Sequence, residues 1–131
     1  MQRLVDVVAA EGIGAAPVQA AILGEARQQR TPFRRAEAVL KSTPGEQYGV
    51  GVHGAKVTDC QVLAVDDTIS TASSLIESIE MLRANNATVE HALGVVDRSQ
   101  GKATQALANI GVVFHSLFQF DESTGQITPM V

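Results

Sequence analysis

Tryptophan is absent, tyrosine occurs once and aromatic residues make up 4% of 131 positions, so any core this chain builds is aliphatic. A single cysteine, Cys60, excludes an internal disulfide and leaves no thiols at zinc-ligand spacing. That usage suits a reducing cytoplasm. Positive charge is not in excess: ten Lys and Arg against fourteen Asp and Glu give a formal net charge of -4 and a pI of about 5.2. Non-specific attraction to nucleic acid is therefore not expected, and an anionic ligand needs a local site. No apolar run approaches the roughly eighteen residues of a membrane span. The segment Met1 to Ala10, which carries Arg3 and Asp6, is too short and too charged for a signal peptide. The expectation is a soluble, cytoplasmic protein with neither membrane nor nucleic acid as partner.

Hydrophobic residues at 45% and charged residues at 18% suit a single globular domain. Short Val- and Leu-rich runs alternate with stretches of helical period. This predicts an α/β fold: a parallel sheet of about five strands with helices on both faces. A first strand over Leu4 to Ala9 leads through Glu11-Gly12-Ile13-Gly14 into a helix over Ala15 to Arg27. Thr31 to Arg35 reads as a short second strand. Ala38 to Lys56, with four of the eleven glycines, reads as a long mobile loop with a hairpin through Tyr48 to Val52.

Val62 to Val65 is the continuous apolar run of a central strand, expected to stop at Asp66-Asp67. A helix follows with Ser73 or Ser74 as its N-cap, closed by Asn85-Asn86. Val89 to Val96 is the fourth strand, with Asp97-Arg98 at its carboxyl end. Lys102 to Asn109 is a short helix stopped by Gly111, and Val112 to Phe118 is the fifth strand. Residues 1–122 are read as the core domain and 123–131 as a polar, loosely held tail.

The segment from Val62 to Ser74 carries the chemistry. A buried strand delivers two carboxylates to the sheet's carboxyl edge, and a run of small hydroxyl residues then turns into a helix. The unsatisfied N–H groups of that first turn, the helix dipole and the hydroxyls form a phosphate cradle. The aspartates can accept hydrogen bonds from vicinal sugar hydroxyls and favour a cationic sugar carbon. The plainer alternative is that Asp66 and Asp67 end a strand and the serines cap a helix. Other candidates are weaker. His53 and His91 lack ligands at metal spacing, and His115 reads as a hydrogen-bonded strand histidine. Gly12-Ile13-Gly14 lacks the third glycine of a dinucleotide fingerprint, Pro17 standing in its place, and no Gly-x-Ser-x-Gly elbow occurs.

Val62 to Ser74 resembles the ribose-phosphate loop of the type I phosphoribosyltransferases, and the chain from about residue 4 to 122 resembles their orotate-using members in particular. Asp6 to Pro17 is similar to the family's first core strand and pyrophosphate loop. Arg34-Arg35 is similar to a basic pair on the next strand, Val95 to Arg98 to the strand end that meets the base, and His115 to Phe118 to the last core strand. The resemblance implies magnesium-assisted transfer of ribose 5-phosphate from phosphoribosyl pyrophosphate to a pyrimidine, most plausibly orotate, by a homodimer. It implies that Asp66 and Asp67 contact the ribose hydroxyls, and that Ser70, Thr71, Ala72, Ser73 and Ser74 hold the 5-phosphate. Glu11, Gly12, Ile13 and Gly14 would meet the pyrophosphate and its magnesium, Arg35 would add positive charge there, and Arg98 would face the pyrimidine.

The chain departs from the family's pattern in three places. Ala72 stands where glycine is usual, which predicts a Cβ that crowds the phosphate or a backbone angle that glycine bears better. Ala38 occupies the place of the mobile-loop lysine, and Lys41, three residues on, is read either as the catalytic loop lysine or as a solvated loop lysine. The chain begins almost at the first core strand, so the family's N-terminal hood over the base is expected to be lacking. A binding or regulatory module with weak or no turnover is the alternative reading.

Overall fold

A computed structural model describes residues 5–11, 15–28, 34–39 and 51–130. In chain order the elements are β1 (Val7–Glu11), α1 (Ala16–Gln28), β2 (Arg34–Val39), β3 (Gly51–Gly54), β4 (Gln61–Ile69), α2 (Ser73–Ala84), β5 (Thr88–Asp97), α3 (Lys102–Ala108), β6 (Val113–Asp121) and β7 (Gln126–Pro129). Among the described residues seven strands form one sheet in the order β3-β2-β1-β4-β5-β6-β7. The five inner strands are parallel, as expected, and a short antiparallel strand closes each edge. From β1 the chain winds outward to β2 and β3. It then returns to lay β4 on the other side of β1 and winds the opposite way through β5 and β6. The reversal between β1 and β4 opens a crevice at their carboxyl ends, the place where open α/β sheets bind ligands.

Both faces of the inner strands are covered. Strand side chains alternate, so Val7 and Ala9 pack with Val62, Ala64, Leu75, Ile79, Leu82 and Leu107 beneath α2 and α3. Val8 and Ala10 pack on the opposite face with Val65, Val18, Ile22 and Leu23 beneath α1. Coverage on both sides is why these strands read as unbroken apolar runs. Gln19 is buried on α1 and donates its side-chain amide to the carbonyls of Val8, at 2.7 Å, and Ala36, at 2.6 Å, tying that helix to β1 and β2. No helix among the described residues is long and apolar enough to cross a membrane.

The three helices lie within a residue or so of the expected ranges, whereas several strands differ. β4 does not stop at Val65 but runs on through Asp66 and Asp67 to Ile69, because its backbone keeps pairing with β5: Asp66 opposite Gly94, Thr68 opposite Val96, Ile69 opposite Asp97. Ladder bonds are indifferent to side-chain charge, and the buried Ile69 anchors the far end. β2 extends to Val39, into the segment expected to be a loop, and β3 returns antiparallel against it; residues 40–50 lie outside the described residues. The N-cap of α2 is Ala72, not Ser73 or Ser74. Strand β6 continues to Asp121, whose Oδ1 accepts the amide and the hydroxyl of Ser123, and the tail expected to be loose turns back as β7.

Candidate ribose-phosphate site

Glu11 ends β1, Asp66 and Asp67 lie near the end of β4, and together with the backbone and side chains from Thr68 to Leu75 they line a cleft of roughly 200 Å³. The cleft sits in the crevice where the winding reverses. Each aspartate folds back on the next amide: Asp66 Oδ1 accepts the Asp67 N–H and Asp67 Oδ1 accepts the Thr68 N–H, both at 2.8 Å. Asp66 is buried, and burial, followed by the hydrogen bond it donates to Asp67 and the charges of Glu11 and Asp67, pushes its carboxyl up to about 8. The same hydrogen bond holds Asp67 below the usual carboxylate range. Burial, then the charge of Asp67, raises Glu11. The two carboxyls thus shift in opposite directions, Asp66 up and Asp67 down, as a coupled pair.

The loop after β4 turns sharply at Ala72, which has φ 67° and ψ 3°, in the left-handed region that glycine occupies without cost. Its methyl is packed in the core beneath α2, and its backbone has the unfavourable angle expected where glycine is usual. Ala72 also has no side chain able to cap α2, whose first-turn N–H groups and positive dipole end face the loop. Ser70, Thr71, Ser73 and Ser74 are exposed around it, with Thr71 Oγ1 and Ser73 Oγ 3.0 Å apart. Backbone N–H groups and hydroxyls thus converge beside a charged carboxylate, an arrangement suited to a phosphorylated sugar.

Next along the edge, Arg98 is tied in by its amide, which donates to the Ile69 carbonyl at 2.7 Å. Its guanidinium lies over the Phe120 ring, 5.4 Å from the centroid, and is paired with Glu122. Asp97 faces inward and is buried, its Oδ1 accepting the Ser99 amide at 2.8 Å and hydroxyl at 2.6 Å, while Ser99 Oγ accepts the Ala103 N–H at the start of α3. The Phe120 and Glu122 contacts were missed by sequence reasoning. The turn cluster Asp121-Glu122-Ser123-Thr124-Gly125, following the apolar Phe120, was the available signal.

The structure brings together Glu11, Asp66, Asp67 and Ser70 to Ser74 at one cleft, with Arg98 beside its loop. Gly12, Ile13, Gly14 and Lys41 lie outside the described residues. Arg35 enters β2 level with Val8, whereas the partner of Glu11 is Ala38, so its backbone sits three residues short of the cleft edge. His91 and His115 are on neighbouring strands with Nδ1 and Nε2 3.1 Å apart. Their ring centroids are 5.3 Å apart and the ring planes 26° from parallel, so the imidazoles lie near-parallel with an offset that also brings the two nitrogens within hydrogen-bond distance.

No protein-family model matches the chain. It is 31% identical over 119 residues to the orotate phosphoribosyltransferase of Streptomyces avermitilis, covering 89% of this chain and 64% of that protein. It is also 31% identical over 120 residues to the orotate phosphoribosyltransferase of Methanopyrus kandleri, covering 92% and 61%. The chain thus spans less than two thirds of the length of these relatives. Among solved structures, the orotate phosphoribosyltransferase of Mycobacterium tuberculosis in complex with phosphoribosyl pyrophosphate superimposes with a TM-score of 0.68 at 26% identity, covering 88% of this chain and 63% of that one.

Proposed function

The chain has the type I phosphoribosyltransferase fold and is similar over most of its length to orotate phosphoribosyltransferases, and on that premise we propose that it transfers ribose 5-phosphate from phosphoribosyl pyrophosphate to a pyrimidine base, orotate first among them. The observation that carries this reading is the run from Asp66 to Ser74. Two adjacent carboxyls, Asp66 and Asp67, stand at the sheet edge directly before a hydroxyl-lined turn into the N-terminus of α2.

In the reaction the bond between the anomeric carbon and the pyrophosphate oxygen breaks, with the electron pair leaving on pyrophosphate. A bond from that carbon to a ring nitrogen forms, and the nitrogen's proton passes to the departing pyrophosphate or to water. The ribose ring passes through a cationic stage. The Asp67 carboxylate, its ionisation favoured, would stabilise that charge and accept a ribose hydroxyl, and Asp66, its ionisation disfavoured by burial, would hydrogen-bond the other. The turn from Ser70 to Ser74 would fix the 5-phosphate and so the distance of the reacting carbon from the base.

Magnesium fits the donor set. Glu11 is a half-buried carboxylate whose ionisation is disfavoured by burial and by Asp67, a deficit of positive charge that a divalent cation relieves. The described residues hold no group of three or more metal-binding side chains, so the ion would take most of its coordination from pyrophosphate and water, as magnesium commonly does. Held at Glu11, it would neutralise charge on the leaving pyrophosphate. The same reading carries a cytoplasmic location and a homodimer, the latter tested by sedimentation of the pure protein.

Titration calorimetry with phosphoribosyl pyrophosphate and magnesium, on the parent protein and on Asp66→Asn/Asp67→Asn, tests the function. Binding in the parent that is lost in the double variant is expected, and orotate should then be converted to its ribosyl phosphate. A parent protein that binds no phosphoribosyl pyrophosphate would sink the reading; one that binds it and turns over no base would leave a binding or regulatory module.

A further inference from the structure

His91 and His115 stand 24 residues apart in sequence, and the parallel register of β5 and β6 brings them together. His115 pairs with Leu93, which lies on the same face of β5 as His91, so the two imidazoles are diagonal neighbours and His91 Nδ1 comes within 3.1 Å of His115 Nε2. Leu93 and Leu63, the partner of His91, pack with the cluster beneath α1, which places both histidines on that face of the sheet. Both side chains are exposed, yet their backbones are fixed: β5 is held between β4 and β6, and β6 between β5 and β7. His91 is the fourth residue of β5 and His115 the third of β6, so most of a strand's length separates the pair from the ribose-phosphate cleft at the carboxyl ends.

That nitrogen separation is the one a chelated ion requires. Two nitrogens bound to one ion, each at about 2.0–2.1 Å, stand roughly 2.9–3.4 Å apart as the angle at the ion opens from a right angle to a tetrahedral one. We propose that His91 and His115 form a binding site for a divalent transition ion of borderline softness, copper(II) or zinc(II), held by His91 Nδ1 and His115 Nε2. Rotation of the exposed rings about their Cβ–Cγ bonds turns both lone pairs toward the ion, and the proton that joined the rings moves to the remote nitrogen of its own imidazole. Imidazole suits these ions, whereas magnesium takes oxygen. Among the described residues no group of three or more His, Cys, Asp or Glu side chains forms, so water fills the other positions and the ion exchanges with solvent. Bound there, it cross-links β5 to β6, and the site stands whether or not the transfer reaction does.

The test is titration of the full chain with copper(II), read by calorimetry and by electron paramagnetic resonance, in the parent and in His91→Gln, His115→Gln and His53→Gln. The tightest site should take one ion per chain, show two coordinated nitrogens and be indifferent to millimolar magnesium. Each strand variant removes half of the chelate and should weaken that site about tenfold or more, while His53→Gln, altered on β3, should leave it unchanged. Zinc(II) should compete for the same site with lower affinity. Both strand side chains are exposed, so the variants are expected to fold, and the nitrogen count in the parent stands independently of them. No copper bound by the parent, a single coordinated nitrogen, or full affinity in both strand variants would overturn the proposal.

Discussion

The Asp67 amide donates to the Asp66 carboxyl at 2.8 Å, while burial, then the adjoining Asp67 side chain, pushes that carboxyl up to about 8. This pair gives stability a pH signature. The folded state holds the Asp66 proton to about pH 8, while the unfolded chain releases it near its ordinary value of 3.8. Across that window the folded state binds more protons, so the Asp66 contribution is full below pH 4 and is lost as pH rises through 8. Asp67, held low, acts the other way and only at the acid end. Urea unfolding at pH 5, 6.5 and 8 should show falling stability, with at most about 1.4 kcal/mol per pH unit from this group. Asp66→Asn should flatten the fall; an unchanged slope in that variant would mean that another group sets it.

Gly94 lies in β5 opposite Asp66, and a Cβ there would stand 2.8 Å from Ile69 Cγ1 and 3.1 Å from Phe114 Cζ. Gly94→Ala should cost about 1–3 kcal/mol of stability through overpacking. Ile69 begins the phosphate loop and accepts the Arg98 amide, so its displacement should also weaken phosphoribosyl pyrophosphate binding. Denaturant midpoints and calorimetry read the two effects separately, and a stable variant with unaltered affinity would show that the cleft is insulated from this packing.

Ala72 carries a positive φ and a buried methyl. Ala72→Gly exchanges relief of backbone strain of about 1 kcal/mol against loss of a packed methyl of about the same size, and should be near neutral. Ala72→Val should lose about 2 kcal/mol or more, because a β-branched residue is poorly tolerated at that angle and the site is full. A valine variant as stable as the parent would count against the left-handed turn.

Ser78 is 1% exposed on α2, and its hydroxyl has no hydrogen-bond partner among the described residues. Replacing an orphaned buried hydroxyl with a methyl removes a desolvation cost, so Ser78→Ala should raise stability by about 1 kcal/mol. A marked loss in thermal unfolding would reveal a partner for that hydroxyl.

The inner strands and all three helices were legible because residues such as Val7 to Ala10 and Leu75 to Leu82 follow the period of the element they build. Legibility failed where backbone pairing outweighed side-chain character. Asp66 and Asp67 look like a strand's end, yet the ladder to β5 continues beneath them. The cap of α2 was sought among serines, whereas the chain turns at an alanine whose methyl serves the core. The cleft's carboxylates could be named from sequence, but the opposite shifts of Asp66 and Asp67 depend on burial and mutual hydrogen bonding, which no spacing records. The hold of Glu122 on Arg98 depends on the turn between β6 and β7, whose register the polar tail did not reveal.

The two antiparallel strands at the sheet's rims bear on solubility as well as shape. A parallel strand left at a rim offers a long row of unpaired amides and carbonyls on which a second molecule can add. Here β3 and β7 stand in that position at four residues each, and β7 ends in Pro129, which has no N–H to donate. The exposed Ile127 would otherwise make this rim sticky. Brevity and a proline deny an incoming strand its ladder, and so guard the molecule against fibrous self-addition at high concentration.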